Sequence, residues 1–410
     1  MALLLIVGLY SPTSVAEQFS PLLYALDYLA CLALLLLLGL GVRRRPGVAA
    51  CMIALSIVPL LLFFTSISGL ATYTYGALPG YAVLSLLFLL DLRETELPPW
   101  LFSLYAALNA LNLVACAAIV AGNQWLSTVL ITHYSVFYPD LVANMLLMRM
   151  PVLTFGTHSL AAFFFYLFFY ASFQTYRLRR KRLFLVFAAG YVLLNLALLS
   201  VTGLVLACLA TVQMAHHFWS SFRHRWLWAA GALALACLVA IFVPVEPLFL
   251  SGRDLVLSAR DIVADPGAGF LGRLMPGGTL HYDLQYLQEH PLRPVGVSYR
   301  EGLMLGDSGM IEYLLRGSLV LVFLVYGGFF LFLRRSLVAK ADLYLLFLVT
   351  LAFETGFTVL TYPRALCVLP FLVVYLNGLR RAPPAERAPI AGGGRVLRCP
   401  DPQAPPIAHS

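Results

Sequence analysis

The sequence predicts an all-α polytopic integral membrane protein with about 11–12 transmembrane helices. Three observations predict it. The chain of 410 residues is 61% apolar, with a mean hydropathy of +0.87. Only 11% of its residues are charged, against roughly 25% in an ordinary soluble domain. Its apolar residues also fall in runs that match a hydrocarbon layer about 30 Å thick, which takes about 20 residues of helix to cross. Soluble multidomain, disordered and nucleic-acid-binding readings fit poorly, because the chain has too little polar surface for any of them.

The candidate spans, in order, are residues 20–42, 47–66, 71–90, 101–121, 152–172, 183–200, 203–219, 226–243, 309–333, 342–360 and 365–379. Residues 1–9 are apolar but too short to span alone. They can form part of a further helix interrupted by the polar stretch 11–18. They lack the basic flank and small-residue cleavage site of a signal peptide, so none is expected. No internal repeat is visible, which argues against an inverted-repeat transporter.

Orientation follows from charge. Arg43–Arg45, Arg177 with 179–182, Arg223 and Arg225, Arg334, Arg335 and Lys340, and Arg380 and Arg381 all fall on one side when the spans alternate. That side is cytoplasmic by the positive-inside rule. Arg93, between Asp91 and Glu94, falls there too. The excess of 27 basic over 19 acidic residues, +8 in all, is therefore mainly a topology signal. The opposite side owns two long loops, 122–150 and 244–308, the second far longer than an ordinary connection. Its aromatics, glycines, prolines and mixed charges read as folded. The unit 1–381 is thus one transmembrane domain, and the Pro/Gly-rich tail 382–410 is expected to be disordered on the cytoplasmic side. Six of the seven Cys lie in or beside apolar stretches and none shows CxxC spacing, so neither a metal site nor a disulfide framework is expected.

The outer face carries charges that topology does not explain. Arg149 precedes Pro151. Arg253, Arg260, Arg273, Arg293 and Arg300 lie in the second loop, Arg316 just inside the next helix, and Arg364 after Tyr362-Pro363. All are Arg and none is Lys. The guanidinium fork grips phosphate or carboxylate in a bidentate way, so several around an outer cavity suit a lipid pyrophosphate. The same arginines can instead pair with Asp254, Asp261, Asp265, Asp283, Glu289 and Glu301 in the same loop. Arg149 and Arg364 have no acidic neighbour in sequence. Asp307-Ser308-Gly309 opens a helix, where Asp or Ser acts as an N-cap. A carboxylate there can also serve as a general base. His158 can donate to a ligand or bond a nearby carbonyl. Glu354 lies within a span, where a carboxylate faces a cavity or a partner. It stands about 15 Å from Arg364 along a straight helix, so the two pair only if the chain turns between them.

Three stretches carry a resemblance. Arg149-Met150-Pro151 runs into Thr154-Phe155-Gly156-Thr157-His158. Gly272-Arg273 leads through Tyr286-Leu287-Gln288-Glu289-His290-Pro291-Leu292-Arg293 to Gly306-Asp307-Ser308-Gly309. Glu354-Thr355-Gly356-Phe357 leads to Tyr362-Pro363-Arg364. Together they resemble the O-antigen polymerase (Wzy) family, within the group that includes O-antigen ligases and the SHEDS glycan polymerases. The resemblance covers most of 149–379, and the first part matches in hydropathy alone. Two departures stand out. Ser200-Val201-Thr202-Gly203 stands where relatives carry a Ser-Arg pair, which leaves the pyrophosphate-binding set open. Asp307-Ser308 stands where ligases tend to have His-Asn, which favours polymerase over ligase.

The resemblance implies a GT-C-like inner-membrane glycosyltransferase with its active site facing the periplasm and a large late periplasmic loop. Its partners would be polyprenyl-pyrophosphate-linked oligosaccharide donor and acceptor, membrane lipid and a chain-length regulator protein. It implies pyrophosphate binding by Arg149, Arg273 and Arg364, assisted by Arg293 or Arg316. Asp307 would be the base, with His158 and Glu354 as reserves, and neither metal nor other cofactor is implied. The alternatives are an O-antigen ligase and, from another class, a lipid-linked oligosaccharide flippase.

Overall fold

The computed structural model describes residues 28–35, 72–96, 98–134, 149–198, 200–219, 279–289 and 308–381, with further positions at 6, 9–10, 145–146 and 276. The candidate spans at 47–66 and 226–243, most of 20–42 and the tail 382–410 lie outside these residues. Among the described residues the chain is all-helical. Its helices are α1 Thr72–Leu89, α2 Pro99–Val120, α3 Gln124–Tyr134, α4 His158–Arg179, α5 Arg182–Ala197, α6 Val201–Trp219, α7 Thr279–Glu289, α8 Gly309–Ser336, α9 Lys340–Glu354 and α10 Pro363–Arg381. Residues 28–35 form a further helical piece.

Among the described residues two helical stretches, α2 and the kinked α8, are long and apolar enough to cross a membrane. The first carries Pro at its N-terminal position, where the missing N–H costs nothing. Exposed Trp100 and Trp125 stand near its two ends, as interfacial aromatics do in spanning helices. Val114 on α2, Val186 on α5, Val212 on α6, Phe323 on α8 and Leu348 on α9 are all exposed. An apolar surface this broad suits lipid rather than water.

The centre is built from α4 and α10. Residues 160–175 of α4 and 363–377 of α10 are buried without interruption, the mark of a helix surrounded by others. In lipid such helices are held by close packing and interhelical hydrogen bonds rather than by water exclusion. Phe155 stacks on Phe164 at 4.9 Å and Phe163 meets Phe353 of α9 at 4.7 Å. Tyr105 of α2 donates to the Phe168 carbonyl at 2.8 Å, and Thr175 and Tyr375 share a 2.8 Å bond between α4 and α10. Cys31 Sγ lies 3.0 Å from Cys367 Sγ and donates to the Pro363 carbonyl, which seats the N-terminal piece on α10.

Among the described residues the basic clusters after α4, α8 and α10 fall at one end of the bundle, while Arg43–Arg45, Arg223 and Arg225 lie outside these residues. Arg380 of α10 pairs with buried Asp342 of α9 at 2.9 Å, and Tyr170 of α4 donates to the same carboxylate at 2.5 Å. Asn377 donates to the carbonyls of Leu92 and Ser336, and accepts from the Val338 N–H. The basic ends of α4, α8 and α10 and the start of α9 thus meet at one end of the bundle, here called the basic end. The α4–α5 hairpin closes there through Arg180 in the left-handed conformation (φ 57°).

Several expected boundaries move. The span expected at 152–172 begins at His158 and runs to Arg179. Residues 151–156 before it form a buried irregular turn, which Thr157 ends by accepting the Leu160 N–H. The first outer loop contains α3, and the second contains α7, which packs Tyr286 on Leu315 of α8. The span expected at 309–333 is not one helix. Gly317 (φ −152°) and Ser318 (φ 57°, ψ −165°) break it. The span expected at 342–360 stops at Glu354, and residues 355–362 turn back into α10.

Candidate functional site

At the end of the bundle opposite the basic end, the start of α8, the 355–362 turn and the 149–157 segment come together. Glu354 is the centre of one half. Its side chain is fully buried. Oε1 accepts the backbone N–H groups of Val359 and Leu360, both at 2.6 Å, and Oε2 accepts the Tyr326 hydroxyl at 3.4 Å. Turn residues between helices have N–H groups with no intrahelical acceptor, and in a dry interior each needs one. Glu354 supplies one from within the chain. Its carboxylate also lies against the first residue of α8, and a Cβ at Gly309 would collide with it. The positive end of the helix dipole favours an anion at that position.

Glu312 lies one turn along α8. Its carboxylate holds Arg316 Nε at 2.9 Å, four residues on, and accepts the Thr358 hydroxyl at 2.7 Å. Arg316 therefore has an internal counter-ion, and the pair is almost wholly out of solvent. Three tyrosines close the space beside these carboxylates. Tyr313 meets Tyr81 edge-on at 6.1 Å and Tyr326 at 5.7 Å. The Tyr81 hydroxyl is buried and makes no hydrogen bond among the described residues. A buried polar group of this kind calls for a water or another hydroxyl.

Arg364 is the centre of the other half, one residue into α10. It is fully buried. Its Nη1 donates to Thr154 at 3.4 Å, and its guanidinium lies 5.4 Å from the Phe155 ring centre. The 149–157 segment covers it, and that segment is conformationally loaded. Arg149 (φ 50°) and Leu153 (φ 51°) both hold positive φ, as does Gly156. Arg149 is exposed, and its guanidinium packs over Gly122 in the α2–α3 turn, where a Cβ would stand 3.0 Å from Arg149 Cζ.

Of the residues singled out in the sequence, the structure gathers Glu354, Arg316, Arg364, Arg149 and His158 at this end. His158 is the half-buried first residue of α4. Glu354 and Arg364 are joined by a turn, as pairing would require, but Glu354 bonds the turn's backbone instead. Asp307, Arg273 and Arg293 lie outside the described residues. Ser308 holds the N-cap position without capping. Its hydroxyl instead donates to the Glu354 carbonyl at 3.5 Å. Glu312, Thr358 and the three tyrosines were not singled out. Glu312 was visible as the partner of Arg316 at helical spacing, whereas the tyrosines come from separate helices and carry no local signal. No protein family, curated relative or solved structure matches this chain.

Proposed function

We propose that the chain is a metal-independent membrane glycosyltransferase. It polymerises polyprenyl-pyrophosphate-linked oligosaccharide repeat units at the periplasmic face of a bacterial inner membrane. The observation that supports this most is the burial of Glu354 and Arg364 at the two ends of one turn. Ionisable groups buried in a membrane are costly and mark function by default. The resemblance of the three sequence stretches adds the chemistry.

In this reading a hydroxyl oxygen of the incoming unit bonds to the anomeric carbon of the growing glycan. The bond from that carbon to the carrier pyrophosphate breaks. Arg364 and Arg149, with Arg273 and Arg293 of the loop, neutralise the departing charge, where preorganised cations are most effective. The 149–157 segment must shift for pyrophosphate to reach Arg364. The hydroxyl proton passes to Asp307, with His158 in reserve. Glu354 has one oxygen committed to two N–H groups, so it suits holding the turn between the two halves better than taking a proton. Arg316 is paired with Glu312 and assists only by exchanging partners.

A second reading is favoured by one observation. The α8 helix is broken at Gly317–Ser318, and discontinuous helices line the substrate sites of transporters. A flippase for the lipid-linked unit would use such a break.

The test is the surface polysaccharide of a deletion strain on a silver-stained gel, complemented with wild type or with Arg364→Ala, Arg149→Ala, Arg273→Ala or Asp307→Ala. The expected deletion phenotype is a single repeat unit on the lipid core with no ladder, and Arg364→Ala should not restore the ladder. Polymer left on the carrier would mean a ligase. Repeat units trapped on the cytoplasmic leaflet would mean a flippase. A full ladder from normally expressed Ala variants would overturn the site assignment.

A further inference from the structure

The basic end of the bundle carries a feature that outer-face chemistry does not use. A cleft of about 810 Å³ opens there between the α1–α2 turn, α2, the α4–α5 hairpin and the end of α10. Its volume is in the range of small-molecule sites. Two kinds of wall meet in it. Arg179, Lys181 and Arg381 supply the charged wall, and Phe102, Leu183 and Phe184 the apolar one. Arg179 lies 5.7 Å from the Phe102 ring centre, so the guanidinium is held at the boundary between the two. Arg381 is tethered by a 3.4 Å bond to the Thr95 carbonyl. Glu94 and Glu96 also line the rim, so three cations face two carboxylates.

The surroundings suit a lipid boundary. Leu183 is 54% exposed and begins the apolar outer face of α5, which continues through exposed Val186 and Leu193. Trp100, next to Pro99 of the lining, is exposed at the same level. The cleft is thus amphipathic in one direction, with cations toward the aqueous end and apolar walls running into the exposed helix face. We propose that it holds one anionic phospholipid of the adjoining leaflet, with the phosphate against Arg179, Lys181 and Arg381 and the acyl chains along Phe102, Leu183 and Phe184. Basic residues at such a depth attract anionic lipid headgroups.

The test uses the full-length protein in neutral detergent, titrated with dioleoylphosphatidylglycerol or dioleoylphosphatidylcholine and read by native mass spectrometry. One phosphatidylglycerol should bind about tenfold or more tightly than phosphatidylcholine. The pair Arg179→Gln with Arg381→Gln should abolish the preference. The exposed pair Glu94→Gln with Glu96→Gln should strengthen it. The pair Arg334→Gln with Arg335→Gln, exposed at the same end but outside the cleft, should leave it unchanged. Equal affinity for the two lipids overturns the proposal. So does an equal loss from the Arg334 and Arg335 pair, which would mean diffuse surface charge. Displacement of the lipid by sn-glycerol 3-phosphate at equal concentration would mean a soluble phosphate site and would also overturn it. If the Arg179 pair fails to fold, the acidic pair decides, and an unchanged preference there sinks the proposal.

Discussion

Glu354 shows how much structure a single buried carboxylate can hold. One of its oxygens accepts two consecutive N–H groups of the turn that follows its own helix, the other accepts a tyrosine hydroxyl, and the first residue of α8 rests against it. Glu354→Ala strands these donors in a dry interior and leaves a void. The expected loss is about 3 kcal/mol or more, since each stranded group costs about 1–3 kcal/mol. Glu354→Gln keeps one carbonyl oxygen for the two N–H groups and should cost clearly less. Gly309→Ala should also destabilise, because the added methyl would push the Glu354 carboxylate away from its bonds. Thermal unfolding of the three variants in one detergent checks the order, and a Gln variant as unstable as the Ala variant would contradict it. At this scale the sequence was informative about the residue and silent about its partner. An intramembrane Glu announces itself by its cost. What it bonds depends on where the chain turns, and Thr355-Gly356 at the end of an apolar run was the available sign of that turn.

At the scale of elements, the break in α8 is the feature that hydropathy hides. Residues 309–333 are apolar enough to read as one span, yet Gly317–Ser318 divides them into a short outer segment carrying Glu312 and Arg316 and a longer inner one. Gly-Ser pairs are among the recognised causes of sharp kinks, so a signal was present in Arg316-Gly317-Ser318, masked by the flanking leucines and valines. The break has a use in the site. It allows the outer segment to set its N-terminus against Glu354 while the inner segment brings Tyr326 to the same carboxylate. Ser318 holds φ 57° and ψ −165°, a region almost confined to glycine. Ser318→Gly should therefore raise stability by about 1 kcal/mol, and Ser318→Val should lower it by more than that. If Ser318→Gly destabilises, the outer segment does not have this conformation. The same melting experiment reads both.

For the whole molecule the governing regularity is the separation of charge between the two ends. The cations of the α4–α5 hairpin, the α8–α9 turn and the end of α10 collect at one end, tied by Asp342 and Asn377. The buried pairs of Glu312 with Arg316 and Thr358, and of Arg364 with Thr154, lie at the other. Counting basic residues along the chain was enough to anticipate the first end, because the positive-inside rule needs only loop composition. The second end was legible as a set of arginines but not as a packed site, since its parts come from helices far apart in sequence. The orientation itself yields a direct prediction. In a variant whose seven Cys are replaced, Ala121→Cys and Thr355→Cys place single thiols at exposed positions of the end opposite the basic one, and Arg93→Cys and Lys181→Cys at exposed positions of the basic end. A membrane-impermeant maleimide applied to intact cells with a permeable outer membrane should label the first two and spare the second two until the inner membrane is opened. The reverse pattern would put Glu354 and Arg364 on the cytoplasmic side and contradict the proposed periplasmic site. Labelling of all four before lysis would mean that the bundle does not span the membrane, and the lipid-facing surface assigned to α2, α5 and α8 would then need another partner.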